Sequence, residues 1–309
     1  MSVCAQTIRC MAMVLALMPM HAADCCKNSV AVVAYLSGSV TVRSPGSREK
    51  VTVSSLDWLS DGMTLQVGKG SQAVLILLDG RRYELGQGAE MTLTAAGAPK
   101  INGAVRELPS LPPIPKPAPI EADSAPTSGA VRIRGPAEMS DLYPKAGMVA
   151  LPDKVILRFK AVGDAASYHV ILRDAGGDSK WSVTTESSEV LVPSEKVEAG
   201  AHYYWNVRAL RSGVVIGAGE AEFSTLSAEA ALQRTKFASA FGASGSDAAT
   251  LGLLAEVDLR LGLVAEACDE FSAALKQKPE DMALRRALDS ARATLADGGG
   301  KPRIGGQNQ

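Results

Sequence analysis

The chain has 309 residues, too many for one small domain and suited to two or three units of about 100 residues each. Hydrophobic residues make up 46% and charged residues 21%, so cores can be buried, while a net charge of −1 gives no basic excess to neutralise a phosphate backbone and excludes nucleic acid as a partner. Beyond His21, which lies in an expected leader, only His169 and His202 remain, which rules out a multi-histidine metal site and leaves a histidine-based triad two candidates at most.

Residues 1–23 read as an export signal. Arg9 supplies a positive n-region, Met11 to Met20 is an apolar run of signal length, and Ala22-Ala23 offers a cleavage point. The run contains Pro19 and falls short of the roughly 20 residues that a membrane span needs, which argues against an anchor. The cleaved bond stays open, because neither Met20 nor His21 is the small residue wanted three positions before the cut. Cys25 would be the acylated cysteine of a lipoprotein only if Gly, Ala or Ser preceded it, and Asp24 stands there. No later stretch is apolar enough to span, so the mature chain is expected to be periplasmic or otherwise extracytoplasmic, without a transmembrane segment. Leader removal leaves Cys25, Cys26 and Cys268, an odd number with no framework spacing, so disulfides are not expected to define the fold. Neighbouring Cys25 and Cys26 can pair only through strained geometry or between chains, and Cys268 reads as a small buried hydrophobe in a helix.

Residues 29–107 read as an antiparallel β domain. Val30, Val32 and Ala34 open an apolar run that passes Gly38 into Val40 and Val42. Val51 and Val53 alternate with polar residues, Ala73 to Leu78 is a buried strand, and Tyr83, Leu85, Met91 and Leu93 follow. Asp79-Gly80 marks a tight hairpin turn in which glycine supplies positive φ. The stretches GSVTV and LDWLSDGMTLQVGKGSQAVLILLDGRRYELGQGAEMTL resemble the extracytoplasmic FecR-like domain through Asp61, Gly62, Leu65, Gly68, Val74, Leu75, Asp79, Gly80 and Leu85. The resemblance implies a small β domain that senses or binds and does no chemistry. The sequence shows neither the cytoplasmic anti-sigma segment nor the membrane helix of the regulator that names the family, so a direct transcription-signalling role is not expected.

Residues 108–130, with seven of the chain's 16 prolines, lack amide donors and are expected to extend as a polyproline II spacer between domains with independent cores. Residues 131–226 then show a second β pattern. Alternation at Val155, Leu157 and Phe159, at Tyr168, Val170 and Leu172, at Trp181 and Val183, at Val190 and Val192, at Tyr203, Trp205 and Val207, and at Ala221 and Phe223 describes a two-sheet sandwich. The portion LVPSEKVEAGAHYYWNVRAL is similar to the end of a fibronectin type III domain at Val197, Gly200, Tyr203, Trp205, Val207 and Ala209, with Phe159 at a core position often held by Trp. Tyr203 and Trp205 are read as core, the Tyr203 hydroxyl bonding backbone near the preceding turn. His169 and His202 fall on outward positions at opposite ends of neighbouring strands, roughly 20 Å apart at about 3.3 Å per residue, and are not a metal pair.

Residues 227–296 turn helical, with apolar positions recurring at three and four. Phe237 and Phe271 stand 34 residues apart, as do Ala240 and Ala274. With Leu254, Gly262, Ala267 and Pro279, the segment resembles one tetratricopeptide repeat, preceded by a half-repeat at Ala228 to Ala240 and followed by a capping helix from Asp281 to Leu295. Asp258 stands where the family has an aromatic. The resemblance implies a concave partner-binding face lined by Ala249, Gly252, Glu256 and Leu259. A helical cap or self-association element is the alternative. Arg285, Arg286 and Arg292 read as a solvated basic face, and residues 297–309 as a disordered tail.

No G-x-S-x-G, G-x-x-x-x-G-K-[ST], H-E-x-x-H or strand-to-helix glycine fingerprint occurs, so no catalytic, cofactor-binding or metal residues are assigned and an enzyme is not expected. The fold class is multidomain α+β: an N-terminal antiparallel β domain, a proline-rich linker, a fibronectin type III-like sandwich and a C-terminal helical hairpin repeat. The expected function is a non-catalytic exported binding or scaffold protein of the cell envelope, with envelope proteins or cell-wall components as partners. The alternative implied by the FecR-like resemblance is a sensory accessory of a FecR-type, iron-uptake-like signalling system.

Overall fold

The computed structural model describes residues 29–95, 97–116, 137–241 and 247–297. The leader, Cys25 and Cys26, the linker past Lys116 and the tail from residue 298 lie outside the described residues.

The N-terminal domain holds β1 (Ser29–Ser37), β2 (Val40–Arg43), β3 (Val51–Thr52), β4 (Trp58–Ser60), β5 (Thr64–Val67), β6 (Gln72–Leu77), β7 (Arg82–Leu85), β8 (Glu90–Thr92), β9 (Lys100–Asn102) and β10 (Val105–Leu108). They form two antiparallel sheets, ordered β10-β7-β6-β1-β4 and β3-β2-β5-β8-β9. Between them lie Ala31, Val33, Val40, Leu65, Val67, Leu75, Tyr83, Leu85, Met91 and Leu93, the inward residues of alternating strands. The strands β9 and β10, which extend different sheets, and the short strand β4 go beyond the sequence pattern; β9 is exposed throughout and carries no alternating apolar signal.

The centre of the first sheet is apolar on both faces. In β1 the consecutive residues Ala31, Val32 and Val33 are all buried, and in β6 so are Leu75, Ile76 and Leu77. One parity fills the domain core; the other, Val32 and Ile76, points away from it and must be covered.

The second domain is a two-sheet β-sandwich. Its strands are β11 (Ala137–Glu138), β12 (Val149–Ala150), β13 (Ile156–Arg158), β14 (Ser167–Asp174), β15 (Ser179–Thr185), β16 (Glu189–Leu191), β17 (His202–Arg211) and β18 (Val214–Thr225). The larger sheet runs β11-β18-β17-β14-β15, with β12 also on β18, and faces the pair β13-β16. Tyr168, Val170, Leu172, Tyr203, Trp205, Val207 and Phe223 fill the space between, as their parity requires. The Tyr203 hydroxyl accepts the Glu198 N–H at 2.7 Å and Trp205 Nε1 donates to the Pro144 carbonyl at 2.9 Å, so both aromatics are buried with their polar ends satisfied.

Four helices follow among the described residues: α1 (Ala228–Ser239), α2 (Ala248–Leu261), α3 (Val264–Gln277) and α4 (Met282–Asp297). Side chains of Ser227 and Asp247 cap α1 and α2 by accepting from Ala230 N at 3.2 Å and Thr250 N at 2.8 Å. Gly262 ends α2 at φ 82°, the left-handed conformation that lets α3 fold back. Ala267, Phe271 and Ala274 of α3 are fully buried against Ala255 of α2 and Leu284, Leu288 and Ala291 of α4.

Two expectations need correction. The proline-rich segment does not leave the β domain freely at Leu108: Leu111 donates its N–H to the Gly80 carbonyl at 2.9 Å, Ile114 to that of Leu78 at 2.9 Å, and both side chains are buried. Gly80 permits this, because a Cβ there would stand 2.0 Å from the Leu111 oxygen. Nor are the module cores independent. Val32 and Ile76 of the N-terminal sheet, Leu111 and Ile114 of the proline segment, Val149 and Leu226 of the sandwich, and Ala230, Phe237, Leu253, Val257 and Leu261 of the helices form one buried cluster. Composition marks the proline segment as donor-poor but cannot tell that its few large apolar side chains complete a neighbour's core.

Phe237→Ala is therefore expected to cost about 3–5 kcal/mol and to shift the β-sheet and helix signals together in one unfolding transition. Circular dichroism at two wavelengths during urea denaturation checks this; a helix signal that melts alone would contradict the shared core.

Candidate functional site

The four residues expected to line a concave face do not share one open groove. Ala249 is exposed, Leu259 packs among the helices, and Gly252 and Glu256 face the N-terminal β domain. What meets them is the turn that leads into β4. Ser54 donates its N–H to Asp57 Oδ2 at 2.7 Å, and the Leu56 and Val33 amides bond the Val33 and Asp57 carbonyls at 2.7 and 3.0 Å. These bonds hold Leu56 at φ 71°, left-handed for a residue with a branched side chain, and push that side chain out as a buried knob. It enters the notch left by Gly252, where a Cβ would lie 3.4 Å from Leu56 Cδ1 and 2.7 Å from Leu284 Cδ2.

Trp58 lies two residues further on. Its Nε1 donates to Glu256 Oε2 at 2.9 Å, and the Arg260 guanidinium carbon stands 4.9 Å from the ring centroid, one helical turn along α2 from Glu256. Arg286 of α4 closes the far side by donating to Ser54 Oγ at 3.0 Å. Burial pushes the Glu256 carboxyl up to about 7, against the opposing pull of the Trp58 hydrogen bond and with a smaller push from the Asp57 charge.

A second polar cluster lies between α1, α2 and α3. Asp258, buried in α2, takes a two-pronged contact from Arg234 Nε, at 2.6 Å, and Nη2. Arg234 Nη2 also lies 3.4 Å from Glu270 Oε1. Hydrogen bonding to Asp258 raises the Arg234 pKa further, so this arginine stays ionised. Burial, and then the Asp258 charge, push Glu270 up to about 8. Glu270 Oε2 and Glu266 Oε2 are buried without a hydrogen-bond partner among the described residues.

Leu56, Trp58, Arg234 and Arg260 escape the sequence reading. The one signal is Asp258, a carboxylate in an apolar helical stretch that demands a counter-ion once buried; the identity of that counter-ion depends on how α1 lies across α2. His169 sits opposite Arg208 in the β14–β17 register and His202 begins β17, so the two histidines are at opposite ends of the sheet. The described residues hold no group of three or more His, Cys, Asp or Glu that could bind a metal, and no helix long and apolar enough to cross a membrane.

Glu256 and Glu270 protonate more readily in the folded chain than in the unfolded one. Their contribution is therefore fully present below the ordinary carboxylate range of about 4.3 and is lost as pH rises through about 7 for Glu256 and about 8 for Glu270. Urea denaturation is expected to show stability lower at pH 8.5 than at pH 5 by on the order of 1–3 kcal/mol, and Glu256→Gln with Glu270→Gln should flatten that slope. A slope unchanged in the double variant would place the pH dependence elsewhere.

No family model matches the chain, and no curated protein matches it. Among solved structures it is similar to CopC from Methylosinus trichosporium OB3b, at 22% identity and a TM-score of 0.24, over 30% of this chain and 95% of that one. It is also similar to the FN1–FN3 domains of chicken CNTN1, at 12% identity and a TM-score of 0.23, over 64% of this chain and 54% of that one.

Proposed function

We propose that the chain is a non-catalytic, exported binding or scaffold protein of the cell envelope. In this reading a FecR-like β domain, a fibronectin type III-like sandwich and a tetratricopeptide-like helical module act as one rigid unit. The observation that carries it is the shared core, in which Ile76, Ile114, Val149 and Phe237 are buried together. A core of that kind fixes the relative orientation of three modules, which is what a scaffold needs and what loosely tethered domains lack. The FecR-like assignment is supported by the β6–β7 hairpin at Gly80, φ 89°, and by Asp61, whose Oδ1 accepts the Ala95 N–H at 2.6 Å beside the Gly62 turn. The repeat assignment is supported by Phe237 and Phe271, 34 residues apart and both fully buried, and by the Gly262 turn.

Faces left for partners carry isolated apolar residues: Leu191 and Val214 on the sandwich, Leu232 and Met282 on the helices, all more than half exposed. Photo-crosslinking amino acids placed singly at these four positions in the native envelope are expected to capture an envelope protein or wall polymer. Recovery of the chain from the cytoplasm alone, or no crosslink from any of the four, would count against the reading. Capture of a membrane-bound transcription regulator would favour the second reading, a sensory accessory of FecR-type signalling, for which the strand pattern of the N-terminal domain is the support.

A further inference from the structure

Alternation sends Tyr203, Trp205 and Val207 into the sandwich core, so the residues between them on β17, with their cross-strand neighbours, form the outer face of the larger sheet. The register lays that face out in rows. Arg173, Tyr204 and Glu222 stand side by side across β14, β17 and β18, and Ile171, Asn206 and Glu220 form the next row, about 7 Å along the strands. His202 meets the Tyr204 ring edge-on, with centroids 5.0 Å apart at 80°, and so fixes how the phenol lies. Arg173 and Arg208 balance Glu220 and Glu222 in charge. Much of the hydrogen-bonding capacity here is unspent: among the described residues the side chains of Arg208, Glu220 and Tyr204 make no hydrogen bond or ion pair. Asn206 Oδ1 is buried with no hydrogen-bond partner. Leaving such an acceptor unpaired costs more than a made bond returns, which marks it as the place where a donor is missing. The χ2 torsion of asparagine is soft, so a turn of the carboxamide presents this oxygen to a group laid on the face.

The chemistry of the face selects its occupant. The centre of a protein interface is apolar and depleted of charge, whereas here only Ile171 and the Tyr204 ring offer apolar surface among four charged side chains. An anionic polymer or lipid surface needs an excess of positive charge, and these charges cancel. A sugar chain suits both conditions, because its hydroxyls need donors and acceptors side by side and its C–H face needs a flat ring to lie on. We propose that this face binds a strand of N-acetylated polysaccharide of the cell wall, with a sugar ring on Tyr204 and the N–H of an acetamido group donating to Asn206 Oδ1. The inference rests on the binding-protein reading above and names the partner that its sandwich domain takes. An acetamido group carries one donor, one acceptor and one methyl. Asn206 receives the donor, Ile171, directly opposite on β14, receives the methyl, and Arg208, two residues along β17, donates to the carbonyl. Glu220 and Glu222 on β18 accept from hydroxyls at the other margin.

The test uses the full chain and wall sacculi stripped of protein, with β-1,4-linked tetramers of N-acetylglucosamine and of glucose as soluble competitors. The two tetramers share a ring face and differ in the acetamido groups. The chain is expected to sediment with the sacculi, and the N-acetylated tetramer to displace it at a concentration about tenfold or more below that of the glucose tetramer. Asn206→Val keeps a side chain suited to a strand and removes the unpaired oxygen, so thermal unfolding should hold or rise while the preference between the tetramers falls to about threefold or less. Tyr204→Ser should weaken both tetramers by about tenfold or more; if that variant unfolds, Asn206→Val decides alone. No sedimentation with stripped sacculi, equal competition by the two tetramers, or a preference that Asn206→Val leaves intact would overturn the proposal. Sedimentation only with sacculi that keep their proteins would overturn it in favour of a protein on this face. Crosslinks from Leu232 and Met282 on the helices are the separate readout: their persistence without tetramer binding rejects this face alone, whereas their loss counts against the scaffold reading.

Discussion

A β-strand has two faces, and in β1 and β6 both are apolar. Packing against the second sheet satisfies one of them; leaving Val32 and Ile76 in water on the other would expose a contiguous apolar patch at the centre of the domain. Everything else in the arrangement answers that demand. The proline segment crosses the Gly80 turn to set Leu111 and Ile114 at one margin, α1 and α2 supply Phe237, Leu253 and Val257, and the sandwich contributes Val149 and Leu226. Burying each large side chain of this kind is worth about 1.5–3 kcal/mol, enough for a few of them to hold modules together against the entropy of their linkers.

The helices meet the two β domains through glycine as well as through apolar side chains. Gly262 turns α2 into α3 and brings its carbonyl within 3.3 Å of the Val149 amide; a Cβ there would stand 2.8 Å from Val149 Cγ2. Gly252 plays the corresponding part toward the N-terminal domain by leaving room for Leu56. In both places a missing side chain, rather than a present one, sets how closely two modules approach.

Buried charge is concentrated at the two edges of the helical module, Glu256 toward the β domain and Asp258 toward α1. Successive residues on α2 point in directions about 100° apart, so Glu256 and Asp258 face different neighbours and meet different fates. Asp258 gains an arginine and remains an ion pair, while Glu256 gains an indole N–H and is pushed toward neutrality. Removing Arg234 would leave the Asp258 charge in a dry site, which is far more costly than the pair itself is stabilising.

The local alternation of Tyr203, Trp205 and Val207 and the Asp79-Gly80 turn are legible in the chain, because each depends on neighbours within a few residues. The division into two β units and a helical unit follows from the same periodicities. The double-sided burial of β1 and β6 is visible only as unusually continuous apolar runs, which do not say what covers the second face. The expected groove residues Gly252 and Glu256 lie on one side of α2 as their spacing dictates, but that they meet Leu56 and Trp58, nearly 200 residues earlier, is a matter of long-range packing. The sequence by itself determined the main strands, turns and helices and which faces of them are apolar. Only the tertiary structure decided which apolar face covers which, because burial is non-directional and many pairings of the same faces would remove a similar area from water.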